Sequence, residues 1–143
     1  MTQANPPGRT LEQLSVGDSA SLTRTISLDD IETFARISGD DNPAHMDDAW
    51  AEASIFKGRV AHGILTAGLI SAVLGTRLPG VGSIYLSQTL KWIAPVRPGD
   101  EVTATVTVKE IIADRGRAVL DTVVARGDEL VLTGEALVMP PRG

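Results

Sequence analysis

The stretch from Ile64 to about Arg77 constrains this chain more than any other. Ile64, Leu65, Ala67, Leu69, Ile70, Ala72, Val73 and Leu74 fall on every side of a helix. A helix that is apolar all round has no face to give to water and must be wrapped by the rest of the protein. Ala67, Gly68, Ser71, Ala72 and Gly75 are small enough to let a sheet approach closely. The continuous apolar part, Ile64 to Leu74, falls short of the about 20 residues that span a bilayer, so the helix belongs to a protein core.

The wrapping material follows directly. From Ser83 onward the apolar period changes to two, with Ile84, Leu86, Leu90 and Trp92 alternating with mostly polar residues. After a turn at Arg97–Pro98–Gly99–Asp100, Val102, Ala104, Val106 and Val108 alternate with Thr103, Thr105 and Thr107. β-Branched residues at period two predict a half-buried strand. Turns at Asp114–Arg115–Gly116 and Gly127–Asp128 bound two more strands, at about 117–126 and 129–139. A buried helix followed by four antiparallel strands predicts a curved sheet wrapped around that helix, an α+β layout.

Upstream, residues 19–26 predict a first strand. A helix follows: Ser27 is a good N-cap, Asp29 and Asp30 suit the positive end of the dipole, and Ile26 can pack on Ile31. Leu28, Ile31, Phe34 and Ala35 share its apolar face, and Gly39 stops it. In DDNPAH, residues 40–45, Pro43 disfavours helix at Asn42, so the segment reads as a turn. A short helix capped by Asp47 runs to about Ala53, and residues 56–63 form a loop. Residues 1–10 are polar with Pro6, Pro7 and Gly8, and read as a flexible arm with no targeting signal; residues 11–143 read as one domain.

Composition narrows the chemistry. The absence of cysteine excludes disulfides and thiol nucleophiles. Two histidines, His45 and His62, leave little for a zinc site, so no metal is expected. A net charge of −5 argues against nucleic acid as a partner. Ten of the 13 basic residues are Arg, which suits phosphate recognition. A cytoplasmic protein with no membrane partner is the expectation.

Asp40 and His45 flank the Pro-fixed turn, where a short offset aims both side chains into one small space. A carboxylate and an imidazole together can take a proton from water and give one to carbon. Ordinary turn chemistry explains the same residues, and the letters alone do not say whether Asp40 or Asp41 faces inward. Gly63 stands where the loop enters the apolar helix. Free N–H groups and a side chain of no bulk fit an oxyanion there, although a tight turn explains a glycine equally well. His62 reads as a capping or packing residue. Ser38 lacks the surroundings of a nucleophile elbow. Ser71 either lines a pocket or bonds back to the carbonyl four residues earlier.

FARISGDDNPAHMDDAWAEAS (34–54), VAHGILTAGLISAVLG (60–75), GSIYLSQTLKWIAPVRPGDEV (82–102) and GEALV near the C-terminus together resemble the MaoC-like, (R)-specific enoyl-CoA hydratases. The likeness is to the short single-domain type linked to polyhydroxyalkanoate synthesis. It covers roughly residues 11–140, with Ala44 in place of the usual larger aliphatic before the His.

The resemblance implies a single hot-dog domain in a homodimer that hydrates trans-2-enoyl-CoA reversibly to (R)-3-hydroxyacyl-CoA. It implies catalytic Asp40 and His45, the backbone N–H of Gly63 as oxyanion donor, and Asn42 as support for the turn. Ser71 and Leu74 would line the acyl pocket, with Met139 a further candidate. No cofactor is implied; coenzyme A, or acyl carrier protein, belongs to the substrate. The alternatives are a 3-hydroxyacyl-acyl-carrier-protein dehydratase, a hot-dog thioesterase and a non-catalytic acyl-thioester-binding subunit. The first would need a basic patch, for which Arg59, Arg77 and Arg97 are candidates.

Overall fold

The computed structural model describes residues 5–143. Five antiparallel strands form one sheet in the order β1-β3-β4-β5-β2: β1 (Ser19–Thr25), β2 (Ile84–Trp92), β3 (Glu101–Ile112), β4 (Arg117–Arg126) and β5 (Glu129–Met139). The helices are α1 (Leu28–Ser38), α2 (Pro43–Met46), α3 (Asp48–Glu52) and α4 (Gly63–Thr76). Helix α4 lies against β1, β2, β3 and β4.

The period-two pattern sets the inner face. Val102, Ala104, Val106 and Val108 on β3, Ala118, Leu120 and Val124 on β4, and Leu132, Ala136 and Val138 on β5 are all buried. They pack with Leu69, Ile70, Val73 and Leu74 of α4 in one core. Each such aliphatic side chain contributes about 1.5–3 kcal/mol by leaving water. The threonines between them face outward on β3. Thr103, Thr105 and Thr107 pair through hydroxyls with Thr23, Ser21 and Ser19 of β1, at 2.8, 2.8 and 3.1 Å.

The helix α4 is not wrapped on every side. Ile64, Gly68, Ser71 and Gly75, spaced three and four apart, form an exposed stripe, and Ile64 is 52% accessible. Beside it, among the described residues, β2 pairs only with β5 and leaves an open edge carrying the exposed Ile84, Tyr85, Leu86 and Trp92.

The local signals at α1 act together. The Ser27 hydroxyl accepts from the Asp30 N–H at 3.0 Å, and the Asp30 carboxylate accepts from the Ser27 N–H at 2.9 Å. That backbone bond, the Ser27 hydroxyl and the Arg24 guanidinium hold the Asp30 carboxyl below its ordinary range. Gly39 ends the helix in the left-handed region at φ 80°. One expectation is revised. The segment after it is not only a turn: Pro43 at the first helical position and Asn42 as cap start the one-turn helix α2. Residues 1–4 of the expected arm lie outside the described residues; in the rest of it, Pro7 bridges to Val81 and the Arg9 N–H donates to the Pro79 carbonyl at 2.8 Å.

Among the described residues no helix is long and apolar enough to cross a membrane.

Candidate active site

The turn between α1 and α2 is braced by its own side chains. The Ser38 hydroxyl donates to the Phe34 carbonyl at 2.7 Å and accepts from the Asp40 N–H at 3.1 Å, so it serves the helix end and not a nucleophilic role. Asp40 Oδ1 accepts from the Asn42 N–H at 3.3 Å, and Asn42 Oδ1 accepts from the Ala44 N–H at 3.0 Å. Asn42 therefore supports the turn that carries both candidates.

His45 stands on α2 with its ring fixed. Its Nδ1 lies 2.7 Å from the Val60 carbonyl, an acceptor only, so Nδ1 carries the proton and Nε2 keeps its lone pair. The peptide is gripped as well: Arg59, whose side chain is 9% exposed, donates from Nε to the His45 carbonyl at 2.7 Å. Polar atoms of Asp40, His45 and His62 all lie within 4.8 Å of one another. Asp41 is not in this group.

A cavity of about 430 Å³ opens beside His45, lined also by Asn42, Phe56, Gly63, Trp92 and Val131. Gly63 is the first residue of α4, and its cap residue His62 makes no side-chain capping bond. Among the described residues, the Gly63 and Ile64 N–H groups have no acceptor. The positive end of a 14-residue helix thus borders the cavity that His45 faces. A Cβ at its first position would lie 2.7 Å from Trp92 Nε1, so any larger residue there needs the indole to shift.

His62 holds the cap position of α4, but its side chain packs instead of capping. It is 1% exposed, and its Nε2 donates to the Asp40 backbone carbonyl at 2.8 Å. Its ring stacks on His45 with centroids 3.9 Å apart and planes inclined at 28°. This stacking argues against a shared metal. Zinc binds in the plane of an imidazole at about 2.0–2.1 Å, and two stacked rings direct their lone pairs side by side, not to one point.

The expected acyl-pocket residues separate. Ser71 lies on the open stripe of α4 in a groove of about 360 Å³ with Ile64, Gly68, Tyr85 and Leu90. It meets Leu74 in an adjoining cavity of about 130 Å³, lined too by Tyr85 and Val138. The Ser71 hydroxyl makes no hydrogen bond among the described residues, unlike Thr66 and Thr76, which bond back to their own helix. Partial burial raises the Tyr85 hydroxyl above its ordinary range, and it donates to Gln88 Oε1. Met139 does not join Ser71 and Leu74. Strand alternation turns Val138 toward Leu74, while Met139 lines a different cavity with Leu11 and Pro141.

Arg59, Arg77 and Arg97 are engaged with the backbone. They bind the backbone carbonyls of His45, Ser21 and Phe56, each on a different segment. Sequence reasoning missed the parts played by Arg59, Trp92 and His62, since each acts on a residue 14, 29 and 22 positions away.

Residues 13–130 match the family model described as MaoC like domain. The chain is 52% identical over 130 residues to the (R)-specific enoyl-CoA hydratase of Rhodospirillum rubrum, covering 91% of this chain and 90% of that protein. It is 53% identical over 131 residues to the 3-hydroxybutyryl-CoA dehydratase of Methylorubrum extorquens, covering 92% and 83%. The solved structure of the R-hydratase PhaJ1 from Pseudomonas aeruginosa superposes with a TM-score of 0.90 at 40% identity, covering 95% of this chain and 88% of that one.

Proposed function

The chain belongs to the MaoC-like domain family, and from that premise we propose how its site works. It is an (R)-specific enoyl-CoA hydratase, a hydro-lyase that adds water reversibly across the double bond of a trans-2-enoyl-CoA. The names of its relatives support the reaction and the carrier. The observation that carries the residue assignment is the approach of Asp40 to His45, within 4.8 Å, with His45 and Gly63 lining one cavity.

His45 Nε2 and the Asp40 carboxylate are both acceptors, so one water can donate a hydrogen bond to each and keep a lone pair for attack. The thioester carbonyl accepts from the Gly63 N–H, which strengthens as negative charge builds on that oxygen. Asp40 takes a proton from the water as its oxygen bonds to carbon 3. The pair then returns a proton to carbon 2, with His45 orienting the water and sharing the transfer. Hydration leaves the overall oxidation state unchanged, so no redox cofactor is required; coenzyme A is part of the substrate. Ser71 and Leu74, two turns or more along α4 and about 12 Å or more from Gly63 by helix rise, receive the far end of the acyl chain.

A second copy of the chain is the proposed cover for the exposed stripe of α4 and the open edge of β2, giving a homodimer. The same reading places the enzyme in the cytoplasm, with polyhydroxyalkanoate synthesis as the consumer of its product. Purified protein should consume crotonyl-CoA without releasing free thiol, which separates hydration from thioester hydrolysis. The product should not couple to an (S)-specific 3-hydroxyacyl-CoA dehydrogenase. Efficient coupling, or stoichiometric thiol release, contradicts the assignment.

A further inference from the structure

We propose that His62 is the positioning residue of this site, holding Asp40, His45 and the Gly63 N–H in one arrangement. The inference rests on the hydratase reading above. Three separate contacts meet in this one side chain. Its Nε2–H donates to the Asp40 backbone carbonyl at 2.8 Å, which fixes the peptide from which the carboxylate projects. Its face stacks on the His45 ring at 3.9 Å, which limits rotation of the imidazole about its bond to Val60. Its own carbonyl carbon is bonded to the Gly63 nitrogen, so anchoring His62 also sets the direction of the oxyanion donor. The Phe34 ring, 4.8 Å away and tilted by 56°, packs against the same imidazole from α1.

The other ring nitrogen makes this more than a packing histidine. Nδ1 is buried and has no hydrogen-bond partner among the described residues. Because the Asp40 carbonyl can only accept, the proton sits on Nε2 and Nδ1 keeps a lone pair that nothing satisfies. A phenylalanine would fill the space without that orphaned atom. What it would lose is the Nε2–H donor and the hold on Asp40. His62 touches no substrate atom in this account; it acts through its neighbours, and a displacement of about 1 Å in such a group is worth about 10²-fold in rate.

The test compares two substitutions in the full-length chain with crotonyl-CoA. His62→Phe keeps a ring against His45 but removes the donor; His62→Gln loses the ring but places an amide N–H at the same distance from Cβ. The expected result is a fall of about 10²-fold in kcat for His62→Phe, with KM changed less than about twofold, and recovery of about tenfold or more of that loss in His62→Gln. A folded His62→Phe enzyme with near-normal kcat, or a loss carried by KM, overturns the proposal. If His62→Phe does not fold, imidazole ¹⁵N–¹H spectra of the wild type decide. They should show His62 protonated at Nε2 with slow solvent exchange; protonation at Nδ1, or fast exchange, overturns it. Asp40→Asn measured alongside keeps the premises apart. Its inactivation together with an unaffected His62→Phe refutes the positioning role and leaves the hydratase reading standing. An active Asp40→Asn refutes the assigned dyad itself and takes the positioning role with it.

Discussion

Trp92 occupies the space that any side chain at residue 63 would need: a Cβ there would come within 2.8 Å of the indole Cε2, and the indole Nε1–H donates to the Gly63 carbonyl at 3.0 Å. A strand residue thus packs on the first turn of α4, and a side chain at residue 63 would force the indole to move. Gly63→Ala should destabilise the fold by about 1–3 kcal/mol through overpacking and reduce hydration by displacing the oxyanion donor. Trp92→Ala, which removes those atoms, should make the added cost of Gly63→Ala smaller in the double variant. Additive losses in a denaturation cycle would mean that the two residues do not press on each other.

Leu74 is 2% exposed and belongs to the core as well as to the small cavity beside Ser71. Leu74→Ala should therefore have two effects. Stability should fall by about 2–5 kcal/mol, and chain-length preference should move toward longer enoyl-CoAs, since each methylene is worth about 1–3 kcal/mol in an apolar pocket. Rates on crotonyl-, hexenoyl- and octenoyl-CoA would measure the second effect. An unchanged profile in a folded variant would place the acyl chain elsewhere.

What the sequence made legible was local. Ser27 and Asp30 announce the start of α1, Asp47 that of α3, and the Val–Thr alternation of β3 its inner and outer faces. The dyad could be suspected from its turn, but choosing between Asp40 and Asp41 needed either the family resemblance or the fold. A four-residue helix such as α2 is too short to display a period, so Pro43 read as a turn alone. The open stripe of α4 left no mark either, because apolar residues lie on all its sides and only the sheet decides which are covered. Val60, Trp92 and Asp40 become partners of His45, Gly63 and His62 through contacts 15, 29 and 22 residues apart, and local spacing carries no record of these. Met139 stands one position from Val138, which on a strand is the difference between two faces, and lines a different cavity from Ser71 and Leu74.

The stripe gives a test of assembly. Nothing lies within 4 Å of where a Cβ at Gly68 would be, so Gly68→Glu should leave the protomer folded. If a second copy covers this face, the wild type should scatter light as a dimer at micromolar concentration and the variant as a monomer. A wild-type monomer, or a Gly68→Glu dimer of undiminished strength, would contradict that interface.

The pairing of Asp40 with His45 is the centre of the account, and one comparison tests it most directly: the rate of crotonyl-CoA hydration by purified wild type, Asp40→Asn and Asp41→Asn. Asp40→Asn keeps the size of the side chain and an oxygen for the Asn42 N–H, so it should fold, yet lose at least about 10²-fold in turnover with the base removed. Asp41→Asn, whose carboxylate lies outside the group, should stay near wild type. A folded Asp40→Asn enzyme that hydrates crotonyl-CoA at close to the wild-type rate would contradict the account.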